Sequence, residues 1–581
     1  MSKIIRVNMS NLTVKEEAVP EKYNLLGGRG LTSQIVYDEV PPLCHPIGPN
    51  NKLVIAPGIV TGTAAPSSGR VSVGGKSPLT NTIKESNAGT KTSQFLARLG
   101  IKAIIIEGQP KDKNKKYLLK VNKTGLEIVP ADELSGLVTS ATVNKLLEKH
   151  GDKVGVMCIG PAGEWLMANA GVCFNDTENR ATRYSGRGGL GAVLGSKGVK
   201  AMVVDAADTS GIKLADEAIF REGQKKLVEA LRTHWVTKPG GALNSYGTAV
   251  LVNVLNEAGG FPTRNFSSGR FEGAAKISGE AIAEMVKIRG GKGTMGHSCH
   301  PGCIIRCSNV YPNPDGSEMV SVQEYESVWG LGANCGIDNL DVTGELIKLC
   351  NEIGLDTIEA GVTLGVAMEG GLANFGDGKK AIELMQEIGK GSPLGRILGQ
   401  GASFTAKALG VARCPTVKDQ GMPAYEPRAV KGIGITYCTT PMGADHTAGY
   451  TIAPEILSVG GKADPLSVKG KADTSRGLQA ATAFLDSTGY CLFTAFAILD
   501  IPSGLEGMVE TCNGVLDTKW TVNDVGRIGL ETMRTERNFN EAAGFSKLND
   551  RIPEFMKYEP LPPHNHVFDV PDSVLDNVWE F

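Results

Sequence analysis

The chain has 581 residues, 41% of them hydrophobic and 21% charged, the make-up of an ordinary globular protein with a large core rather than a disordered or fibrous one. A formal net charge of −2 gives no reason to expect nucleic acid or an anionic membrane surface as a partner. Twelve cysteines, scattered apart from one tight group, fit a reducing compartment better than a disulfide framework, so a cytoplasmic protein is expected.

The opening MSKIIRVNMS is a polar, alternating, strand-like segment rather than a signal peptide. The N-terminal third reads as β-rich. KLVIAPGIV, KAIIIEG, KKYLLKVN, KVGVMCIG and GVKAMVVDA are short β-branched runs bounded by glycine, proline or charged turns. Between them SSGRVSVGGKSPLTNTIKESNAGT and ENRATRYSGRGGLGAVLGSKG read as loops. The 74 glycines, many clustered in GGRGL, SSGRVSVGGKS, SGRGGLGAV and IRGGKGTMG, require close backbone approach or positive φ at several places. Composition shifts near residues 206–211, after which LADEAIFREGQKKLVEALRTH and SGEAIAEMVKIRG have helical spacing. VTGELIKLCNEIGL, the stretch 357–375 and KKAIELMQEIG continue the helical pattern, and a second shift follows at 409–415. The proline-rich tail from Glu559 is expected to lie over the surface. The longest apolar run, 487–499, is too short to cross a bilayer. Length alone allows about four domains. The pattern gives an α+β protein of three: a β-rich cofactor-binding domain over 1–208, then mainly helical domains over 209–412 and 413–581.

The stretch GHSCHPGCIIRC sets Cys299, Cys303 and Cys307 four residues apart. Thiolates are soft ligands suited to iron–sulfur clusters or zinc, and a cubane needs four of them. One buried helix face of core cysteines is the plainer alternative, but Pro301 and Gly302 interrupt a regular helix there. Cys491, in LDSTGYCLF, is the best candidate for a fourth ligand. Four cysteines would satisfy a structural zinc equally well.

Arg70 and Arg187 each sit in a glycine-rich loop, where a guanidinium and free backbone N–H groups can meet the same phosphate oxygens. Gly186, Gly188 and Gly191 have G-x-G-x-x-G spacing, yet no strand–helix unit with a downstream acid accompanies them. Two tight turns with solvated arginines would look the same. Two such loops beside a thiolate cluster favour a large phosphorylated cofactor. Glu324 and Glu326 alternate in a mostly apolar neighbourhood that would raise a carboxylate pKa and suit it to acid–base work; they read equally as surface acids beside a helix start. His446 lies among small residues that leave room for a substrate, although a lone histidine is more often structural. His564 and His566 form an exposed pair in the tail with no clear task.

Taken together these motifs resemble the aldehyde:ferredoxin oxidoreductase family of tungsten or molybdenum bis-pterin enzymes. The likeness runs from RVNMSNLTVKEE and LLGGRGL through GRGGLGAVLGSKGVKA, the cysteine group, EYES, CNEIGLDTI and PMGADHTAG to DSTGYC and ERNFNEAAGF. The resemblance implies that Cys299, Cys303, Cys307 and Cys491 hold one [4Fe–4S] cluster. Arg70 corresponds to a pterin-phosphate arginine, and Asn87, Ala88, Gly89 and Thr90 to its backbone cradle. Tyr184, Ser185, Arg187 and Gly188 fall in the second loop, with Asn87 and Ser185 offering backbone oxygens to a Mg2+ that bridges the pterin phosphates. Asn351, Leu355, Asp356, Asp486 and Leu492 correspond to pterin-ring contacts. Glu326, with Glu324 in reserve, and His446 correspond to the carboxylate and histidine near the metal.

The implied reaction is oxidation of an aldehyde with water to a carboxylic acid, or its reverse. Glu326 would take a proton, His446 would hydrogen-bond the aldehyde oxygen, and electrons would leave to ferredoxin or a dedicated iron–sulfur subunit. The chain departs from the family at three places. Its cluster spacing is C-x3-C-x3-C where C-x2-C-x3-C is commoner. Tyr184 and Ser185 replace small residues. Glu345 is followed by Lys348 rather than a histidine, so no iron shared between subunits is expected. A tungsten-dependent reductase of aromatic acyl-CoA rings on the same scaffold is the nearest rival, and a non-catalytic iron–sulfur electron carrier a more distant one.

Overall fold

The structure, a computed structural model, describes residues 2–580. Its N-terminal third is built from two six-stranded sheets. The first comprises β1 (Lys3–Asn8), β2 (Thr13–Ala18), β3 (Leu53–Pro57), β4 (Arg70–Lys76), β5 (Ile83–Gly89) and β6 (Ile101–Glu107), in the order β2-β1-β6-β3-β4-β5. The second comprises β7 (Tyr117–Asn122), β8 (Gly125–Pro130), β9 (Gly155–Cys158), β10 (Val172–Asn175), β11 (Ala181–Ser185) and β12 (Val199–Val204), in the order β11-β10-β9-β12-β7-β8.

Strand alternation explains how the sheets stack, because successive side chains point to opposite faces. Ile5 and Val7 of β1 and Ile104 and Ile106 of β6 pack with Leu119, Met157, Phe174 and Met202 of the second sheet. Ile4, Ala103 and Ile105 face the other way, onto Leu31, Ile35 and Val36 of the helix Gly28–Glu39. On the far side Leu118, Val156, Ala201 and Val203 lie under Val143 and Leu146 of the helix Thr139–His150. The result is a helix–sheet–sheet–helix stack, in which each fully buried aliphatic side chain contributes about 1.5–3 kcal/mol.

Three segments differ from their sequence reading, one of them the stretch ENRATRYSGRGGLGAVLGSKG, which is not a loop but holds β11 and the helix Leu190–Ser196 on either side of its glycines. RVSVGGK and the end of the stretch IKESNAG are strands, not loops: Arg70 pairs with Gly89 and Ser72 with Asn87 across β4 and β5. Glycine, serine and asparagine are poor strand formers, and these residues become strands because β3 offers a paired edge and both faces are covered. The proline-rich tail also does not simply lie on the surface. Leu561, Phe568, Val570 and Leu575 are buried in the main helical core, and Trp579 donates from Nε1 to the Thr439 carbonyl at 2.8 Å.

The rest of the chain is mainly helical around that large core, with a three-stranded sheet of β13 (Thr294–His297), β14 (Ser308–Pro312) and β15 (Glu318–Val320) inserted. A buried ion pair ties the two parts together. Arg29, on the first helix, binds Glu536 of the helix Val522–Ala542 through both Nε and Nη2, at 2.9 and 2.8 Å, and Ser33 donates to the same carboxylate. Among the described residues no helix is long and apolar enough to cross a membrane.

Candidate active site

Local pairing brings the cysteines together. The loop 298–307 is closed by β13 and β14, where His297 pairs with Ser308, so Cys299 and Cys307 stand at the two feet of one hairpin. Ser67 stitches that loop to the fourth thiol. Its N–H donates to the Gly302 carbonyl, its hydroxyl accepts from Ile304 N–H, and its carbonyl accepts from Cys491 N–H at 2.8 Å. Cys491 follows the helix Lys471–Thr488, whose C-terminal Gly489 has φ +91° and passes so close to Gly58 that a Cβ on either would overlap the other backbone.

Cys299, Cys307 and Cys491 line one end of a cavity of about 390 Å3 that runs between the edge strands β5 and β11 and the helical part. Arg29, Arg70, Arg183 and Arg187 also line it. Arg70 donates from Nε to the Asn87 side chain and from Nη2 to the Asn87 carbonyl, which fixes it along β5. Arg187 is held by Asp356, the N-cap of the helix Thr357–Glu369, at 3.2 Å, and by the carbonyls of Ala444 and Gly421. Asn87 also donates to Asp486 at 3.3 Å.

At the other end Glu326, in the first turn of the helix Tyr325–Leu331, meets His446 from a loop, with Oε1 3.3 Å from Nε2. Its Oε2 accepts the Ala424 N–H at 3.0 Å. Burial pushes Glu326 up to about 8, against the pull of that N–H and of Arg187. Burial pushes His446 down to about 4, although Asp445 opposes it. At neutral pH the pair therefore holds one proton, resting on Glu326. Asp445 lies 3.9 Å from His446 Nδ1 and 3.7 Å from the buried Lys84 ammonium. Burial alone would raise Asp445, but Lys84 and Arg187 hold it near 2. Tyr425 and Tyr450 flank the imidazole and share a hydrogen bond between their hydroxyls at 2.8 Å.

Glu324 points elsewhere. It lies 3.8 Å from Arg183, towards the cysteines, and is raised by burial more than Arg183 lowers it. Of the expected cradle, Asn87, Ala88, Gly89, Tyr184, Asn351, Leu355, Asp356, Asp486 and Leu492 line the cavity. Thr90, Ser185, Gly188 and Cys303 do not contribute to that lining. Thr90 instead caps the helix Lys91–Arg98, with its N–H given to Gly69 and its hydroxyl to Asn175. Gly188, with φ +84°, packs over the Lys84 side chain. The Asn351 carbonyl is taken by the Thr139 hydroxyl at 2.7 Å and by Tyr184. His564 bonds the Ala258 carbonyl on the exposed surface, away from the cavity.

Sequence reading passed over Arg29, Glu85, Arg183, Asp445 and the two tyrosines. Arg29 had one signal, its place between glycines in GGRGL; the others come together only through the fold. Several polar atoms at this cavity have no hydrogen-bond partner among the described residues: Glu85 Oε1, Arg183 Nε and Nη2, Glu326 Oε1 and His446 Nδ1. Buried polar groups are rarely left so, and four arginines lining a cavity, with unmet donors on Arg183, suit a large polyanionic ligand. Thiols at one end suit an iron–sulfur group. The residues present fit a phosphorylated cofactor beside a cluster.

The profile described as "Aldehyde ferredoxin oxidoreductase, N-terminal domain" matches residues 4–206, and "Aldehyde ferredoxin oxidoreductase, domains 2 & 3" matches residues 222–581. The chain is similar to the tungsten-containing aldehyde ferredoxin oxidoreductases of Pyrococcus horikoshii, 37% identical, and Pyrococcus abyssi, 38% identical, each match covering 96% of this chain and 92% of the relative. It is 25% identical to the WOR-like subunit of an aliphatic sulfonate oxidoreductase of Pyrococcus furiosus, over 96% of this chain and 90% of that one. In fold it is similar to the active site complex BamBC of benzoyl coenzyme A reductase in complex with 1,5 dienoyl-CoA, with a TM-score of 0.81 and 19% identity over 99% of this chain and 92% of that chain.

Proposed function

The chain belongs to the aldehyde ferredoxin oxidoreductase family, and from that premise we propose that it is a tungsten-dependent enzyme that oxidises an aldehyde with water to a carboxylic acid and can run the reverse reduction. The observation that carries this reading is the Glu326–His446 pair, 3.3 Å apart inside a cavity whose other end is lined by arginines and thiols. When bound, a tungsten bis-pterin would accept the electron pair and a [4Fe–4S] cluster would pass the electrons on one at a time.

In this reading Arg70 with Asn87, Ala88 and Gly89, and Arg187 with Tyr184, Ser185 and Gly188, would hold the pterin phosphates, with Thr90 shaping the turn after β5. Asn351, Leu355, Asp356, Asp486 and Leu492 would contact the rings. Asn87 and Ser185 would turn carbonyl oxygens to a Mg2+ between the phosphates. Cys299, Cys303, Cys307 and Cys491 would bind the cluster. The division into 1–208, 209–412 and 413–581 is part of the same proposal.

The chemistry left to the protein is proton handling. Transfer of the shared proton from Glu326 to His446 frees a carboxylate to take the proton of the attacking water. The same transfer leaves an imidazolium N–H to hold the aldehyde oxygen, and Asp445 favours that cation. Anchoring of Glu326 Oε2 by Ala424 leaves Oε1 as the atom that moves the proton. The tyrosine flanks keep bulk water from the pair. A ferredoxin-type protein is the electron acceptor, in the form of free ferredoxin or a dedicated iron–sulfur subunit, and the compartment is the cytoplasm. Anaerobically purified enzyme should reduce a viologen dye with short aliphatic or aromatic aldehydes as donor. Dye reduction dependent on a reduced aromatic acyl-CoA, with none from any aldehyde, would replace this reading with the ring-reductase one.

A further inference from the structure

The cysteine loop reaches the surface, and the chain that frames it carries charge of one sign. Cys299, Cys303 and Cys307 are half-buried, and Pro301, Gly302 and Arg306 among them are exposed. Two other segments hold the loop. Residues 58–69 hold it through the hydrogen bonds of Ser67. Residues 235–247 hold it through Asn244, whose amide donates to the Arg306 carbonyl at 3.5 Å, and through Gly247, where a Cβ would stand 3.1 Å from the Cys307 carbonyl.

These three stretches, 58–69, 235–247 and 298–308, contain no aspartate or glutamate. Their basic side chains are Lys238 and Arg306, both exposed and neither in an ion pair among the described residues. Between them Trp235 is 50% and Tyr246 39% exposed. Asp500, the acid beside this face, is taken up by His234 at 2.9 Å and by the Gly460 N–H at 2.7 Å. Aromatic residues and arginine are enriched at protein interfaces, and charges around them steer the encounter and choose the partner's sign. Unpaired cations with no carboxylate select an acidic partner. The extent of the face selects a transient one. An obligate subunit buries about 2,000 Å2 or more of largely apolar surface, whereas the large apolar side chains exposed in these stretches are Trp235 and Tyr246.

We infer that this face docks a small acidic iron–sulfur protein of the ferredoxin type, with Trp235 in the contact and Arg306 and Lys238 pairing with its carboxylates. The inference rests on the cluster assigned under the proposed function. Each aldehyde and water yield a carboxylic acid, two protons and two electrons, and the electrons reduce two acceptor clusters by one each.

The test is aldehyde-dependent reduction of a purified acidic two-[4Fe–4S] ferredoxin by the anaerobic holoenzyme, with benzyl viologen as a small acceptor that needs no docking surface. The KM for ferredoxin should rise between about 20 and about 200 mM salt while viologen rates stay level. Lys238→Glu and Arg306→Glu together should raise it about tenfold, and Trp235→Ala should raise it without changing the salt dependence, each with viologen turnover and iron content as in wild type. Lys238→Glu and Trp235→Ala lie outside the cysteine loop, so they decide the matter if Arg306→Glu disturbs the iron. A ferredoxin KM indifferent to these changes and to salt, or an iron–sulfur subunit that co-purifies and stays bound at high salt, overturns the docking surface and leaves the proposed function standing. No reduction of either acceptor by any aldehyde overturns the proposed function itself.

Discussion

Replacing Glu326 by glutamine isolates the shared proton from the architecture around it. Glutamine has the same shape, so its amide oxygen can still accept the Ala424 N–H and its NH2 group can still face His446 Nε2. What is lost is the group able to release and take a proton. General acid–base catalysis contributes about 10²–10⁴ in rate, which is about 3–5 kcal/mol of barrier. In steady-state viologen assays kcat/KM should fall by that factor while tungsten and iron contents stay at wild-type values. The pH profile gives a second reading. With Glu326 near 8 and His446 near 4, the active pair is the singly protonated form that exists between those values. Raising the pH through about 8 strips its last proton, so kcat/KM should fall about tenfold per pH unit above that point. The limb near 8 should be absent from Glu326→Gln. A variant within about threefold of wild type, or a wild-type rate still climbing past pH 9, refutes the shared-proton reasoning.

The Arg29–Glu536 pair predicts a stability effect that joins the two halves of the fold. Arg29→Met leaves the fully buried Glu536 carboxylate uncompensated and should cost roughly 3–5 kcal/mol, read as a lower urea midpoint, with Arg29→Met/Glu536→Leu recovering part of the loss. A shift under about 1 kcal/mol would contradict it. Asp176 predicts an acid limb. Burial would raise this carboxyl, but its hydrogen bond to His297, the Arg183 charge and a backbone N–H hold it near 2 from an ordinary 3.8. Because the folded value is depressed, its stabilisation of about 2 kcal/mol is present above pH 5 and is lost as pH falls towards 2. Asp176→Asn should therefore be less stable at pH 7 and lose about 1 kcal/mol less than wild type between pH 7 and pH 3. Equal pH dependence of the two urea midpoints would remove Asp176 from the acid limb.

Strands β3, β6, β7, β9 and β12 were legible in the sequence because each is a β-branched run buried on both faces. β4 and β5 were not, since the glycines, serines and asparagine of RVSVGGK and IKESNAG outweigh Val71 and Val73 until β3 is beside them. The tail misled for a related reason: its prolines and charges hide Phe568 and Trp579, whose burial depends on a groove formed by distant helices. At the site, residues with unusual local settings could be found, namely the cysteines, Arg70, Arg187, Glu326 and His446. Asp445 and Arg183 could not, because an aspartate next to a histidine and an arginine in a strand carry no local signal. Ser67 is the sharpest example. It is one serine among several in a loop, yet its three hydrogen bonds hold two other backbone segments around the thiols.

The central claim is that one chain carries both a tungsten pterin and an iron–sulfur cluster. Elemental analysis of anaerobically purified protein for tungsten, molybdenum, iron, zinc and phosphorus tests it most directly. The account predicts one group-six metal and about four irons per chain, with phosphorus in proportion to two pterin phosphates. Zinc alone, or iron with no group-six metal, would contradict it, and the roles given to Glu326 and His446 would go with it.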